Sequence, residues 1–208
     1  MENEISCFNV KLGVDTILTK RPLDCLDLAT IFTRLVDRDL RVIFCVRDPR
    51  DVICSVHRLV PHDYFLGYKN QYFIDGKNQT ISLSNPGLKQ VYAAWRGFAD
   101  KVLTVRYEDL VLRPETVQRA IYAHVDEQPK GDFSEFSESS KVSEKMVVAL
   151  NGARQIDSKG VGIWRKHPQR VWQEFTDNPA LFEMVIGLGY EVDTEWFRST
   201  YRSRLAYL

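Results

Sequence analysis

Short apolar runs alternate with helix-spaced apolar stripes along this chain, and the alternation predicts the order of its elements. Val42–Val46 is a continuous run rich in β-branched and aromatic residues, which predicts a buried strand. Val102–Arg106 predicts a second strand, and Thr16–Thr19 predicts a short one upstream. Strands that alternate with helices favour a parallel sheet with helices packed on its faces. The pattern therefore predicts one α/β domain over residues 1–208 without an internal repeat.

The predicted helices come from apolar residues that recur on one helical face. Pro114 is suited to the first position of its helix, where the N–H that proline lacks would have no partner. The helical stripes cover 28–36, 52–60, 88–98, 114–125 and 142–150, followed by a closing helix that is interrupted near Pro179 and ends at Gly189.

Two segments carry neither pattern. Pro61–Pro86 is long and contains Gly67, Gly76 and several aromatic residues. It is predicted either as a lid or binding loop, or as a partly helical excursion whose aromatic residues enter the core. Asp126–Ser140 is polar, acidic and rich in serine, which predicts a connection between elements.

The charge balance of the chain disfavours several classes of partner. Its 208 residues carry 28 Lys and Arg against 28 Asp and Glu, so no global field favours nucleic acid or a membrane surface. An anionic ligand would have to be held by a local cluster of donors. No apolar run approaches the roughly 18 residues of a membrane span, and the first residues lack the basic and apolar regions of a signal peptide.

The four cysteines have no metal-ligand spacing. Cys7, Cys25, Cys45 and Cys54 include no C-x-x-C pair, and the last two fall in a predicted strand and helix, where cysteine acts as a small apolar residue. We expect reduced thiols, no metal and a cytoplasmic location. A disulfide between Cys7 and Cys25 stays open as the less favoured alternative.

Arg47–Ser55 is the stretch with the clearest chemistry. It joins the predicted strand to the next helical stripe, so it lies at the carboxyl end of a strand, where open parallel sheets bind ligands. Arg47 supplies a planar fork of donors, Ser55 a hydroxyl and the helix amino terminus a partial positive charge, a combination that favours phosphate. The alternative is a solvated turn in which Asp51 caps the helix and the arginines pair with nearby carboxylates.

Four segments, in this order along the chain, resemble the sulfotransferase superfamily. The segments are Ile17–Pro22, like the strand that ends in the family's Lys-x-Pro; Arg47–Ser55, like its 3′-phosphate segment; Val102–Leu110, like its Tyr-Glu-Asp-Leu turn; and Ser158–His167, like its late Lys-Gly and Gly-x-Trp-Arg-Lys-His loop. Family members transfer a sulfonyl group from 3′-phosphoadenosine 5′-phosphosulfate, called PAPS below, without a metal. The resemblance runs from about Ile17 to Tyr190. It implies a three-layer, P-loop NTPase-like fold with a parallel sheet flanked by helices.

The resemblance also implies nucleotide-binding roles for the matching residues. Arg47 and Ser55 would bind the 3′-phosphate, and Lys159 and Gly160 would reach it from the late loop as a point charge and an exposed backbone N–H. Tyr107 would lie near the adenine, and its alternative is a core aromatic ring.

Lys20 is the residue that the resemblance assigns to the transfer step. It matches the family lysine at the leaving bridging oxygen, where an ammonium helps most as charge develops; the alternative is a solvated surface lysine. Glu108 and Asp109 are expected to orient their turn. Trp164–His167 would line the nucleotide cleft, with Trp164 alternatively in the core, although Ile163 replaces an aspartate of the cytosolic members.

One part of the family pattern has no counterpart. Nothing from Met1 to Thr19 resembles the glycine-rich loop that binds the 5′-phosphosulfate, and the nearest glycine is Gly13. Three explanations stay open: a truncated or misassigned start of an active enzyme, a degenerate homologue, or a substitute built by the first residues. A sheet without one strand exposes backbone and apolar surface. A short form is therefore expected to form a homodimer or to rebuild the strand from residues 1–15.

The sequence thus predicts a PAPS-dependent sulfotransferase acting on a hydroxyl or amine of a small-molecule or carbohydrate acceptor. The alternative is a degenerate homologue that binds the nucleotide 3′-phosphate or a partner without catalysis. A nucleotide kinase ranks third because it also needs the phosphate loop. Pro61–Pro86 is expected to shape the acceptor pocket. No general base is assigned, because Pro22 occupies the position of a histidine found in some members.

Overall fold

The computed structural model describes residues 27–34, 39–57, 60–64, 66–75, 78–128, 131–135 and 155–202. The predicted strand Thr16–Thr19, the predicted helix 142–150 and Lys20 lie outside the described residues. In chain order the elements are α1 (Leu28–Arg34), β1 (Ile43–Val46), α2 (Pro49–Ile53), β2 (Val56–His57), β3 (Val60–Tyr64), β4 (Asn70–Asp75), β5 (Asn78–Pro86), α3 (Leu88–Phe98), β6 (Leu103–Arg106), α4 (Tyr107–Leu112), α5 (Pro114–Val125), α6 (Pro168–Asp177), α7 (Ala180–Gly187) and α8 (Glu195–Thr200).

A parallel strand pair carries the candidate site. β1 pairs with β6, with Ile43 opposite Leu103 and Val46 opposite Arg106. The carboxyl ends of both strands therefore meet at one edge, where Arg47 and Tyr107 begin the next segments. The mixture of helices with a parallel pair confirms the predicted α/β character.

Some helix boundaries have a local cause in the sequence. Gly87 donates its N–H to Oε1 of Gln90 at 3.1 Å at the start of α3, and Pro114 occupies the first turn of α5, as predicted. The closing helix is divided into α6 and α7 around Pro179, which confirms the predicted interruption.

The predicted helix Val52–Val60 is wrong beyond Ile53. Ser55 donates its hydroxyl to the carbonyl of Asp51 at 3.0 Å and its N–H to the carbonyl of Val52 at 3.1 Å, which closes the short helix α2. The chain then turns into strand β2, antiparallel to β3. Apolar residues at helical spacing are also common in short strands, and this stretch is too short for periodicity to separate the two.

The described part of Pro61–Pro86 forms strands, so the partly helical alternative is wrong, whereas a role as a lid or binding segment stays a prediction. β4 and β5 form an antiparallel hairpin in which Asp75 lies opposite Asn78. In the sequence the two residues between Asp75 and Asn78 begin with Gly76, and a glycine at the first of two loop positions is typical of a hairpin turn. That signal was present in the sequence and outweighs the glycine and aromatic content that favoured a loop.

The core lies where α6, α7 and α8 pack against α2 and β1. Its largest fully buried side chain is that of Phe175. Phe175 lies 4.9 Å from Phe182, 5.2 Å from Trp196 and 5.8 Å from Phe197 between ring centroids. Aromatic rings in such edge and stacked arrangements contribute beyond the area that they bury. No helix in the described ranges combines the length and apolar character needed to cross a membrane.

The position of Phe175 predicts the cost of opening this core. Phe175→Ala is expected to lower the free energy of unfolding by about 3–5 kcal/mol, because a cavity replaces the ring. Leu112→Ala is the control, since Leu112 is 58% exposed and its truncation should change stability by less than about 0.5 kcal/mol. Urea unfolding followed by circular dichroism measures both. Similar costs for the two variants would contradict this description of the core.

Candidate functional site

The turn after β1 is buried, and its charges are paired inside the protein. Asp48 caps α2 by accepting the N–H of Arg50 at 2.9 Å, and Pro49 follows as the first helical residue. The cap is therefore Asp48 and not Asp51, and the turn is not solvated because Asp48, Arg50 and Asp51 are 6%, 3% and 0% exposed. The part of that alternative that paired the arginines with nearby carboxylates is confirmed for Arg50.

Arg50 is the most fully paired charge in the turn. Its guanidinium contacts Asp48 at 2.7 Å and Glu191 at 2.6 Å, and its central carbon lies 4.5 Å and 4.6 Å from the rings of Trp164 and Trp196. Burial opposes the charged form, but the hydrogen bonds to Asp48 and Glu191 outweigh it, so the pKa of Arg50 is raised. Arg50 is therefore part of the framework of the site.

Asp51 ties the turn to the late loop 158–167, more than a hundred residues away. One carboxylate oxygen accepts the N–H of Gly162 at 2.7 Å and the other accepts the N–H of Trp164 at 2.9 Å. Burial raises the pKa of this carboxyl, although the two backbone N–H groups act in the opposite direction. The late loop thus satisfies a carboxyl that would otherwise be buried without partners.

Arg47, Tyr107 and Gly160 converge at the edge where β1 and β6 end. Nη2 of Arg47 donates to the carbonyl of Gly160 at 2.5 Å, and its guanidinium carbon lies 4.8 Å from the centre of the Tyr107 ring. Nε of Arg47 is buried and has no hydrogen-bond partner among the described residues. A Cβ at Gly160 would lie 2.8 Å from the Tyr107 hydroxyl and 3.3 Å from Arg47 Nη2. Only glycine leaves this space open.

The remaining predicted site residues are less closely joined to this cluster. Ser55 donates its hydroxyl to the Asp51 carbonyl, and the side chain of Lys159 is 89% exposed beside Asp157 at 3.6 Å. Gly160 contributes its carbonyl to the described contact, whereas the sequence predicted a role for its N–H. Lys20 lies outside the described residues. The structure therefore brings together Arg47, Tyr107 and Gly160, whereas the polar atoms of Ser55 and Lys159 contact Asp51 and Asp157.

The rest of the late loop divides between core and rim. Trp164 is buried and lies edge-on to Trp196 at 5.5 Å, which agrees with its predicted alternative as a core ring. Arg165 is exposed and covers the outer face of Trp164 at 4.6 Å. Nδ1 of His167 forms a hydrogen bond with the hydroxyl of Tyr64 at 3.2 Å.

Glu108 was expected to orient the turn after β6, in which it lies, but its carboxylate orients the turn after β1. Its Oε1 accepts the N–H of Asp48 at 3.0 Å, and its Oε2 accepts the hydroxyl of Tyr190 at 2.7 Å. Burial, followed by the hydrogen bond to Glu108, raises the pKa of Tyr190, so the hydroxyl keeps its proton and donates. Asp109 instead pairs with Arg113 at 2.5 Å.

Sequence reasoning missed the framework residues of the site. The charged pairs around Pro49 were a local signal for Asp48 and Arg50, because charges that follow a buried strand need partners when they are buried with it. Tyr190 and Glu191 carry no comparable signal. They contact the site only because α7 and the turn after it fold back across the end of β1.

A cavity of about 480 Å³ lies elsewhere, beside α7 and α8. It is lined by Phe182, Thr194, Glu195, Phe197, Arg198 and Arg202 and shares no residue with the Arg47 cluster. This cavity is therefore separate from the cluster at the edge of the parallel pair. Within the described ranges, no three His, Cys, Asp or Glu side chains are grouped so that they could hold a metal ion.

The two bonds to Asp51 predict a stability cost. Asp51→Asn is expected to lower the free energy of unfolding by about 1–3 kcal/mol at neutral pH, because an amide nitrogen would face one of the two loop N–H groups. Asp109→Asn is the matched control and should cost less than about 0.5 kcal/mol, since its ion pair is exposed. Urea unfolding measures both, and equal losses would contradict a special role for Asp51.

The stability difference between the wild-type protein and Asp51→Asn is expected to depend on pH. The folded-state pKa of Asp51 is raised above the ordinary value of 3.8, so the folded protein holds this proton more tightly than the unfolded chain. The corresponding stability is present below the ordinary value and is lost as pH rises through the folded-state pKa. The stability difference between wild type and Asp51→Asn should therefore shrink as pH rises through that window. A difference that grows would mean that the pKa is lowered.

Comparison with known proteins gives one family. The family model described as Sulfotransferase family matches residues 7–129, more than half of the chain. No curated protein and no solved structure gives a significant match. The matched residues include Lys20, Arg47, Ser55 and Tyr107, and they end before the late loop. The chain belongs to the sulfotransferase family.

Proposed function

We propose that this chain binds PAPS and transfers its sulfonyl group to a hydroxyl or amine acceptor. Family membership indicates sulfonyl transfer in general. The observation that carries the more specific proposal is the meeting of Arg47, Tyr107 and Gly160 at the ends of β1 and β6. Ligands of parallel α/β sheets bind at this end of the strands.

The donor set of the cluster fits a phosphate. Arg47 has a buried Nε without a partner among the described residues, and a guanidinium binds phosphate through several N–H groups at once. Among the described residues, no carboxylate lies within ion-pair distance of Arg47. Gly160 leaves room beside the guanidinium that a Cβ would fill. These features support a 3′-phosphate held by Arg47, with Ser55, Lys159 and Gly160 completing its shell.

In the proposed site, Tyr107 and Lys20 contact parts of the nucleotide other than the 3′-phosphate. The ring of Tyr107, already in contact with the Arg47 guanidinium, offers a face for the adenine. Bound PAPS supplies a sulfonyl group whose bond to the bridging oxygen breaks as the acceptor atom bonds to sulfur. We propose that the ammonium of Lys20 meets that oxygen and stabilises the charge that develops on the departing adenosine 3′,5′-bisphosphate.

The proposal extends to the fold and to the acceptor. We propose a three-layer, P-loop NTPase-like sheet in which Thr16–Thr19 joins the parallel pair. The hairpins between β2 and β5 lie between the phosphate turn and α3 in sequence. They replace the predicted loop as the segment expected to shape a small-molecule or carbohydrate pocket.

A second candidate function is nucleotide binding without transfer. It is favoured by the described cluster, whose residues are those that we propose for the 3′-phosphate and the adenine. Both candidates require binding of adenosine 3′,5′-bisphosphate, and turnover separates them.

Binding of this nucleotide tests Arg47 directly. Arg47→Ala is expected to weaken the affinity for adenosine 3′,5′-bisphosphate about tenfold to a hundredfold, because a charge-assisted hydrogen bond contributes roughly 1.5–3 kcal/mol. Isothermal titration calorimetry measures the dissociation constants. Arg119→Ala removes an exposed arginine of α5 and should leave them unchanged. Lack of binding by the wild-type chain would reject both candidate functions.

Turnover tests Lys20. Lys20→Ala is expected to lower the release of adenosine 3′,5′-bisphosphate from PAPS roughly 10²- to 10³-fold, the cost of losing one donor at a developing charge. Affinity for the bisphosphate should change little. Lys89→Ala, at an exposed position of α3, is the control. Release in the presence of a broad acceptor panel is the measurement, and nucleotide binding without any turnover would favour the second candidate.

A further inference from the structure

Two consecutive residues after α7 hold both sides of the turn that carries Arg47. Tyr190 reaches the turn through Glu108, and Glu191 reaches it through Arg50. Both connections end on Asp48, the residue next to Arg47. Tyr190 and Glu191 lie beyond the segment that the family model matches, whereas Asp48, Arg50 and Glu108 lie within it.

The connection through Tyr190 fixes a peptide plane. The N–H of Asp48 belongs to the same planar unit as the carbonyl of Arg47. Because Glu108 accepts this N–H at 3.0 Å, it sets the orientation of the plane and with it the backbone direction at Arg47. Tyr190 donates to the second oxygen of Glu108 at 2.7 Å and so holds the carboxylate in place.

The connection through Glu191 fixes the side chain of Asp48. Arg50 binds both carboxylate oxygens of Asp48, at 3.0 Å and 2.7 Å, while its Nη1 donates to Glu191 at 2.6 Å. The Asp48 and Arg50 side chains are at most 9% exposed, and that of Glu191 is 28% exposed. Charge-assisted bonds in such an environment are stronger than at the surface.

The backbone conformation at Gly189 brings Tyr190 and Glu191 to their positions. Gly189 has a φ of 71°, the left-handed conformation that favours glycine. Tyr190 donates its N–H to the carbonyl of Val185 at 3.0 Å and Gly189 donates to that of Ile186 at 2.8 Å, the bond pattern of a Schellman cap. The cap ends α7 and returns the chain toward β1.

We infer that Tyr190 and Glu191 are positioning residues that aim Arg47 at the 3′-phosphate and thereby set the preference for 3′-phosphorylated nucleotides. The inference rests on the proposed function, since it assigns the 3′-phosphate to Arg47. Neither residue touches the ligand. Each acts through a hydrogen-bonded partner whose geometry depends on it, and loss of about an ångström of alignment can be costly at a bidentate site.

The experiment compares two nucleotides that differ only in the 3′-phosphate. Calorimetric dissociation constants for adenosine 3′,5′-bisphosphate and adenosine 5′-monophosphate give a preference ratio for each protein. Tyr190→Phe removes only the hydroxyl, and we expect the ratio to fall about three- to tenfold, the effect of one hydrogen bond. Glu191→Gln should lower it in the same direction, and Glu195→Gln, at an exposed position, should not.

Two further variants separate positioning from a general effect. Tyr92→Phe removes a hydroxyl that donates to the backbone carbonyl of Glu183 at 3.4 Å on an exposed surface, and it should leave the ratio unchanged. Glu108→Ala should lower the ratio at least as much as Tyr190→Phe. Because Tyr190 acts through Glu108, the double variant should be no worse than Glu108→Ala alone. Additive losses would contradict a shared path.

The outcomes distinguish the inference from the function on which it rests. A wild-type preference ratio near unity would overturn both the positioning inference and the proposed function. A wild-type preference that survives Tyr190→Phe and Glu191→Gln, or variants that weaken both nucleotides equally, would overturn the positioning role alone. Should Tyr190→Phe fail to fold by circular dichroism, the more exposed Glu191→Gln decides the matter by the same ratio.

Discussion

The structure depends most on the buried carboxyl of Asp51 and the two N–H groups that it accepts. A buried carboxylate without partners costs several kcal/mol, so α2 and the late loop gain by remaining together. This constraint acts over more than a hundred residues of sequence. It also brings Gly160 to the carbonyl contact with Arg47, because Gly160 and Gly162 belong to the same tight turn. The candidate site thus forms because the late loop provides hydrogen bonds to Asp51, although Asp51 is not itself one of the residues of the Arg47 cluster.

Arg47 and Arg50 show how burial and partners give the same side chain two roles. Arg50 lies between two tryptophan rings and faces two carboxylates, so its charge is used within the fold. Arg47 contacts a carbonyl and a tyrosine ring, neither of which neutralises a guanidinium. Its charge remains available to an anion. Because the chain has no net charge to attract an anionic ligand, such a ligand must be held by local donors of this kind.

The family match and the site do not cover the same residues. The match ends at residue 129, yet the late loop, Tyr190 and Glu191 contact the turn of β1 through short hydrogen bonds. The carboxy-terminal helices supply much of the core as well, including Phe175 and Val185. The part of the chain beyond the match therefore contributes to the core and to the turn that carries Arg47.

The sequence by itself determined the local elements and the residue types of the site. The apolar run before Arg47, the stripe of α3, Pro114 at the start of α5 and the interruption at Pro179 were all legible, because strand burial, helical periodicity and proline geometry act over a few residues. Short stretches were less secure, as the helix that ends at Ile53 and the hairpin of β4 and β5 demonstrate. Only the tertiary structure decided that Asp48 and Arg50 are buried, that Asp51 holds the late loop, and that Tyr190 and Glu191 reach the turn. These contacts join residues far apart in the chain, and their partners are set by how helices pack across the strand ends, which no local pattern encodes.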